Sequence, residues 1–301
     1  MERVMKGLKR KVLVVGGAGR FASLVVPELV KRGVTVRSLA RNDAEALRAR
    51  ANGVTEIARG DLRDLATLEA AAQGVHGVFH IGPAFSQDEA QIGLNMVTAA
   101  KVTGVRKFVF SSVIQPTHIE LENHASKIPV ESALFSSELE YTILHPANFM
   151  QNFAGLWPTI VQTGIYAEPN SIDRAMTRVD YRDVAEVAAI ALTEDRLAYA
   201  SLELCSDERL TRAEIASIAA EELRRPVEAR QVKFSEWTHL LGLTYDERKL
   251  DLLARIHEHY DRFGLGGNGL TLRAVLGRAP RTMRDFIALL AADTNQPSDT
   301  A

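Results

Sequence analysis

The stretch Glu122–Glu131, ENHASKIPVE, gathers a lysine, a histidine, a serine and two glutamates within ten residues. Lys127 is the residue that raises the chemical question. A lysine four positions after a tyrosine can hold a ribose and lower the phenol's pKa, so that the tyrosine relays a proton. Asn123 stands where that tyrosine would be, and an amide has no proton to give at any accessible pH. Glu131 lies four residues further on, and if both are helical they share a face and can form an ion pair worth about 0.2–0.5 kcal/mol when exposed. Pro129 suits the first turn of a helix, which leaves Lys127 at or just before the start. The helix dipole disfavours a cation there, so a ligand or Glu131 must compensate. Contact with a bound cofactor, direct proton transfer, and a solvated loop lysine are the three readings of Lys127.

A second constellation is KVLVVGGAGRFASLVVPELV, which places Gly16, Gly19 and Ala22 in G-x-x-G-x-x-G/A spacing between a strand and a helix. The first glycine permits a tight turn, the second lets the main chain approach a pyrophosphate, and the small third residue lets the helix pack closely on the sheet. The helix N-terminus then offers N–H groups to the anion. At the end of the next strand, VRSLARND carries Arg41, with Arg37 behind it and Asp43 beyond. An acid there would bond a ribose 2′-hydroxyl, whereas a guanidinium fork matches a 2′-phosphate. Arg41 therefore favours NADP(H), with NAD(H) possible, and a solvent-exposed loop cation is the other reading. Arg20 is a further cation in the glycine loop. In RGDLRD, Asp61 and Leu62 are placed to flank an adenine ring, while Asp61 or Asp64 also suits the N-cap of the helix beginning at Leu65.

Other candidates compete with structural roles. Ser111 and Ser112 end a strand at the edge where such sheets bind ligands, so Ser112 either bonds a substrate carbonyl or terminates the strand. His80 reads as a satisfied core histidine. His118, His124 and His145 make no metal-ligand spacing with Cys, Asp or Glu, and no metal is expected. Phe149, Phe153, Trp157 and Tyr166 could line an apolar pocket or pack a core.

The elements that must position these groups alternate short β-branched runs with amphipathic helical stretches from Lys11 to about Ser206, the pattern of parallel strands joined by crossover helices. Strands are expected at 11–15, 34–40, 54–59, 77–81, 107–112, 141–145 and 202–205. Helices are expected at Ala22–Arg32, Leu65–Gln73, Gln87–Thr103 and Val130–Ser137. The fold class is α/β, a doubly wound parallel sheet. Beyond residue 206 helices dominate: one from Thr211 with Glu214 in capping-box spacing, a long one over Ser235 to about Arg262, and a last one over 282–290, with a strand at Val227–Val232 and a loop at 264–269. The tail NQPSDTA is expected to fray.

The chain has 301 residues, 46% hydrophobic and 25% charged, with a formal net charge of −2. This is the balance of a folded globular protein with no global field for nucleic acid or an anionic membrane. The N-terminus MERVMKGLKR lacks the apolar core of a signal peptide, and no run of about 18 apolar residues occurs. A cytoplasmic location is expected. The single cysteine, Cys205, allows no intrachain disulfide and reads as a buried structural thiol.

The segments VVGGAGRFAS, ARND, RGDL, GVRKFVFSS, LHPANFMQNF, VDYRDVAEVAA and LGRAPRTMRDFIAL, in this order over nearly the whole chain, resemble the NmrA-like branch of the atypical short-chain dehydrogenase/reductases. The resemblance implies a Rossmann domain over 9–206, in which 147–180 contribute to a cleft, and a smaller, mostly helical substrate-binding region over 207–301. It implies dinucleotide contacts from Gly16, Gly17, Ala18, Gly19, Arg20 and Phe21, with Arg41 at the 2′-phosphate, Asp61 and Leu62 at the adenine, and Ile81, Gly82, Pro146, Ala147 and Phe149 beside the nicotinamide. The family's usual GATG is GGAG here, so Ala18 replaces a hydroxyl donor while the glycine spacing survives. The branch often keeps only a Lys-x-x-x-Glu or His-x-x-x-Glu element, which Lys127 and Glu131 match.

Two functions follow as expectations. The first is an NADPH-dependent oxidoreductase passing hydride to a flat, conjugated, apolar small molecule such as a quinone or dye, with Lys127 holding the ribose or stabilising charge and Ser112 at the substrate. The second is an NADP(H)-binding redox sensor that signals to a regulatory protein partner. A sugar-nucleotide epimerase is disfavoured, since that chemistry needs the missing tyrosine.

Overall fold

Six parallel strands carry the architecture in the computed structural model, which describes residues 10–294. They are β1 (Lys11–Val14), β2 (Thr35–Ala40), β3 (Glu56–Arg59), β4 (Gly77–Ile81), β5 (Lys107–Ser111) and β6 (Glu140–Pro146). The spatial order is β6-β5-β4-β1-β2-β3, with a seventh strand, Ala200–Leu204, at the β6 edge. Leu13 of β1 lies opposite both Arg37 of β2 and Val78 of β4. The chain thus winds outward one way from β1 to β3 and the other way from β4 to β6, and the switch point lies between β1 and β4. Ligands of open α/β sheets bind beyond the carboxyl ends of the strands at such a point. The charged first residues and the tail 295–301, for which fraying was expected, lie outside the described residues.

The strands form because they are runs of Val, Ile, Leu and Phe covered on both faces. Leu13, Val78, Phe108, Phe110 and Ile143 pack with Leu68, Met96 and Leu134 from helices Leu65–Ala72, Glu89–Val102 and Ile128–Phe135. Each such side chain, buried almost completely, stabilises the fold by about 1.5–3 kcal/mol before entropy is counted. The helix expected at Ala22–Arg32 opens as a 3-10 turn over Ala22–Leu24 and becomes regular at Val25–Lys31. Pro27 falls in that first regular turn, where its missing N–H costs nothing. Asp64 caps the Leu65 helix by accepting from the N–H groups of Ala66 and Thr67, which settles the choice between Asp61 and Asp64.

The chain divides into two compact units. The first runs to His145 and resumes over Val184–Leu202; the second comprises Pro146–Asp183 and resumes at Glu203. Residues 146–183 thus group with the C-terminal segment, where the sequence reading placed them in the domain ending at residue 206.

In the second unit, Phe153, Trp157 and Tyr166 are buried in a cluster with Ile215, Trp237 and Ile287, so these aromatics are core. The Thr211–Glu214 capping box is present. The expected Val227–Val232 strand is Glu228–Gln231, parallel to Ile165–Glu168. The long helix expected over Ser235–Arg262 is two helices, Phe234–Leu240 and Glu247–Phe263. Gly242 breaks it with a φ of +58°, a left-handed turn that a glycine adopts freely, and Asp246 caps the second piece through the N–H of Lys249. The fully buried carboxylate of Asp183 accepts from the Arg281 main chain at 2.7 Å and the Arg278 guanidinium at 2.8 Å, and also pairs with the Arg281 guanidinium. Cys205 is buried, which pushes its thiol up to about 12. Among the described residues no helix is long and apolar enough to cross a membrane.

Candidate active site

A cavity of about 460 Å³ opens in the first unit at the switch point. Its floor is the β1 turn. Gly16 has a φ of +80°, where a side chain would be strained, and the Gly19 N–H closes the turn on the Gly16 carbonyl at 2.6 Å. Gly17 rests on the second strand, since a Cβ there would lie 2.7 Å from Ser38 Oγ. Its carbonyl is held by Asn52 Nδ2 at 3.0 Å. The loop is therefore fixed with its backbone against the cavity. This is a cradle that a pyrophosphate fits and side chains would fill.

The structure brings together on the cavity wall Gly16, Ala18, Gly19, Arg20, Phe21, Arg41, Asp61, Leu62, Ile81 and Gly82. Gly17 supports the turn from behind. The Arg20 guanidinium lies 5.4 Å from the Phe21 ring centre. Asp61 accepts from the Arg63 N–H at 2.9 Å and its own N–H binds Thr67 Oγ1 at 3.1 Å. The Leu62 carbonyl receives Asn95 Nδ2 at 3.0 Å.

Sequence reasoning missed Glu45, Arg48, Arg63, Pro83 and Ser86, which also line this wall. Glu45 matters most. It accepts from the Arg41 main-chain N–H at 2.8 Å, from Arg41 Nε at 2.9 Å and from Arg41 Nη2 at 2.5 Å. The hydrogen bond from Arg41 holds the Glu45 carboxyl below its usual range. Asn42 caps the helix Asp43–Ala51 by accepting the Glu45 N–H, so the Asn-x-x-Glu spacing was the available signal. Arg37, by contrast, is bound to Glu56 at 2.9 Å and to the carbonyls of Ala71 and Gln73.

Lys127 and Ser112 are not among the cavity-lining residues. Lys127 is the N-cap residue of helix Ile128–Phe135 and is paired with Glu89 rather than Glu131. Both groups are buried. Glu89 begins the helix after β4, and its carboxylate abuts Gly82, whose added Cβ would lie 2.7 Å from Oε1. The compensation the N-cap lysine requires thus comes from another helix.

Glu131 serves elsewhere. Its Oε1 accepts the Ser112 hydroxyl at 2.5 Å and lies 3.0 Å from His145 Nε2. All three side chains sit at or just beyond the carboxyl ends of β5 and β6 or on the helix between them. The carboxylate is in the middle, with no hydrogen bond between serine and histidine, so this is not the arrangement that activates a serine nucleophile. Pro146, Ala147 and Phe149 fall in the second unit, where the Ala147 N–H binds the Leu204 carbonyl at 3.0 Å and the Phe149 ring meets Tyr181 at 4.8 Å.

His80 departs from the reading of a satisfied core histidine. It is fully buried on β4, stacked 5.8 Å from Phe110, and neither ring nitrogen has a hydrogen-bond partner. Burial, with a smaller effect of Lys127, lowers its pKa to about 3. His124 Nδ1 lies 3.0 Å from the Gln115 carbonyl, and the His118 ring is 6.4 Å away.

A 3-2-1-4-5-6 sheet with a glycine turn after the first strand and a cavity at the switch point defines a Rossmann-type dinucleotide-binding fold. The chain belongs to the NmrA-like family, whose model matches residues 8–283. It is 30% identical over 287 residues to the NAD(P)H azoreductase of Xenophilus azovorans, spanning 93% of this chain and 98% of that protein. It is 23% identical to quinone oxidoreductase 2 of Escherichia coli (strain K12), over 93% and 98%. The solved structure of the Citrobacter sp. triphenylmethane reductase complexed with NADP(H) shares the fold, with a TM-score of 0.81 at 22% identity over 93% and 99%.

Proposed function

We propose that this protein is an NADPH-dependent reductase that passes hydride to a flat conjugated acceptor, a quinone or an azo or related dye. The observation that carries this reading is the cavity whose wall joins the glycine turn to Arg41, Asp61 and Ile81, in a chain similar along nearly its whole length to an NAD(P)H azoreductase. Main-chain amides of Gly16–Phe21 hold the pyrophosphate, Arg41 the 2′-phosphate, and Asp61 and Leu62 the adenine. Ile81 and Gly82, on the same cavity wall, flank the ring that supplies hydride when the cofactor is bound. Lys127, its ammonium fixed by Glu89, orients the ribose.

Conjugated acceptors take hydride readily, so the remaining need is one proton for the oxygen or nitrogen anion left behind. Ser112 meets it in place of the absent tyrosine. Its hydroxyl gives its proton to the anion; Glu131, protonated from solvent through His145, then returns one to the serine oxygen, the last two transfers running between groups already in hydrogen-bond contact.

The test is to mix purified protein with NADPH and a panel of quinones and azo dyes, and to follow nicotinamide absorbance beside calorimetric binding. Turnover supports the reductase. Tight binding without turnover on any acceptor favours the sensor that signals to a protein partner. No binding of any pyridine nucleotide overturns both.

A further inference from the structure

The structure assigns Glu45 a role in cofactor choice: we infer that it moderates the preference for a 2′-phosphate and itself receives the 2′-hydroxyl of the unphosphorylated dinucleotide. This rests on the reading of the cavity as a dinucleotide site and goes beyond it. The residue after β2 and the first turn of the helix that follows bring together both recognition elements that nature usually separates, an arginine for the phosphate and an acid for the hydroxyl. Here they are bound to each other. Glu45 makes three hydrogen bonds to Arg41, one through the main chain and two through the guanidinium. Its side chain is 14% exposed while that of Arg41 is 65% exposed, so the carboxylate is the fixed partner and the guanidinium the movable one.

The consequence is electrostatic. A 2′-phosphate approaching Arg41 meets a carboxylate already occupying the inner side of the same guanidinium, at the N-terminus of the helix both anions would use. It must share Arg41 with Glu45 or draw it away, and like charges at a few ångströms repel appreciably even with partial screening. Arg48, also on the cavity wall, eases but does not remove this repulsion. A neutral 2′-hydroxyl meets no such opposition and can donate to Glu45 with Arg41 left in place. The site therefore admits both dinucleotides, with Glu45 setting the ratio of their affinities.

Titration calorimetry on the full chain with NADPH, NADH, adenosine 2′,5′-bisphosphate and 5′-AMP tests this. Glu45→Gln should raise the affinity ratio of phosphorylated to unphosphorylated ligands about fivefold or more, mainly through tighter binding of the phosphorylated pair. A ratio unchanged within about twofold, or shifted the other way, overturns the inference. Arg41→Gln gives an independent check should Glu45→Gln fold poorly. It should weaken NADPH about tenfold or more while NADH stays within about threefold, because the hydroxyl acceptor remains. Equal loss of both overturns the assignment to Glu45. If wild-type protein binds none of the four ligands, the cavity reading itself fails.

Discussion

The ammonium of Lys127 is paired with the carboxylate of Glu89, 38 positions away, and both are buried. Removing one partner from such a pair strands the other charge in a poorly solvated place. Glu89→Gln and Lys127→Ala should each lower stability by about 3 kcal/mol, and the double variant Lys127→Met with Glu89→Gln should cost much less than the sum. Denaturant unfolding of the three variants checks this. Strictly additive losses would mean that the two groups do not interact.

His80 makes stability depend on acid. Its folded pKa is about 3, against roughly 6.5 in an unfolded chain, so below about pH 6.5 protons bind the unfolded state preferentially. The contribution of neutral His80 is present above pH 6.5 and is lost by about 1.4 kcal/mol per unit as pH falls toward the folded value. His80→Leu should remove that slope and, by deleting two unpartnered ring nitrogens, stabilise the protein by about 1 kcal/mol near neutrality. Unfolding free energies at about pH 7.5 and about pH 5 decide the matter: parallel losses in wild type and variant would acquit His80.

If Ser112 supplies the proton, then Ser112→Ala and Glu131→Gln should each cut turnover with a quinone about 10- to 100-fold, with dinucleotide affinity little altered. His145→Asn should have a smaller effect that added imidazole partly restores. Steady-state rates and calorimetry on the same preparations separate these effects. Loss of nucleotide binding in step with turnover would point to a structural role instead.

Gly17→Ala tests the support of the phosphate turn. The new methyl would lie 2.7 Å from Ser38 Oγ, and Ser38 is fully buried, so overpacking should cost about 1–3 kcal/mol. Ser38→Gly in the same chain should recover most of it. Failure of that second change to restore the melting temperature would show that the strain lies elsewhere.

What could be read from the residues was what is local. The capping box at Thr211, the glycine turn and the strands of the first unit depend on spacing within a few residues, and they lie within one or two positions of where the pattern put them. The sheet order could not be read, because it depends on which strands meet in space. The same reason hid Glu89 from Lys127, and His145 from Glu131. Arg41 and Glu45 are a local pair that was legible in principle, but an acid five residues beyond a strand's end looks like an ordinary first-turn helix residue. In the second unit, strands of two residues such as Asn148–Phe149 and Arg209–Leu210 are too short to leave any periodic trace.

The Asp183 carboxylate bears on how the chain matures during synthesis. Its cations, Arg278 and Arg281, are 95 and 98 residues downstream, so on the ribosome a buried acid waits for almost a third of the polypeptide before it is neutralised. Helix Tyr181–Thr193 carries this acid in its first turn and ends in the unit that contains β1. A nascent chain halted before residue 278 would contain all of β1–β6 yet lack both guanidinium groups that neutralise Asp183.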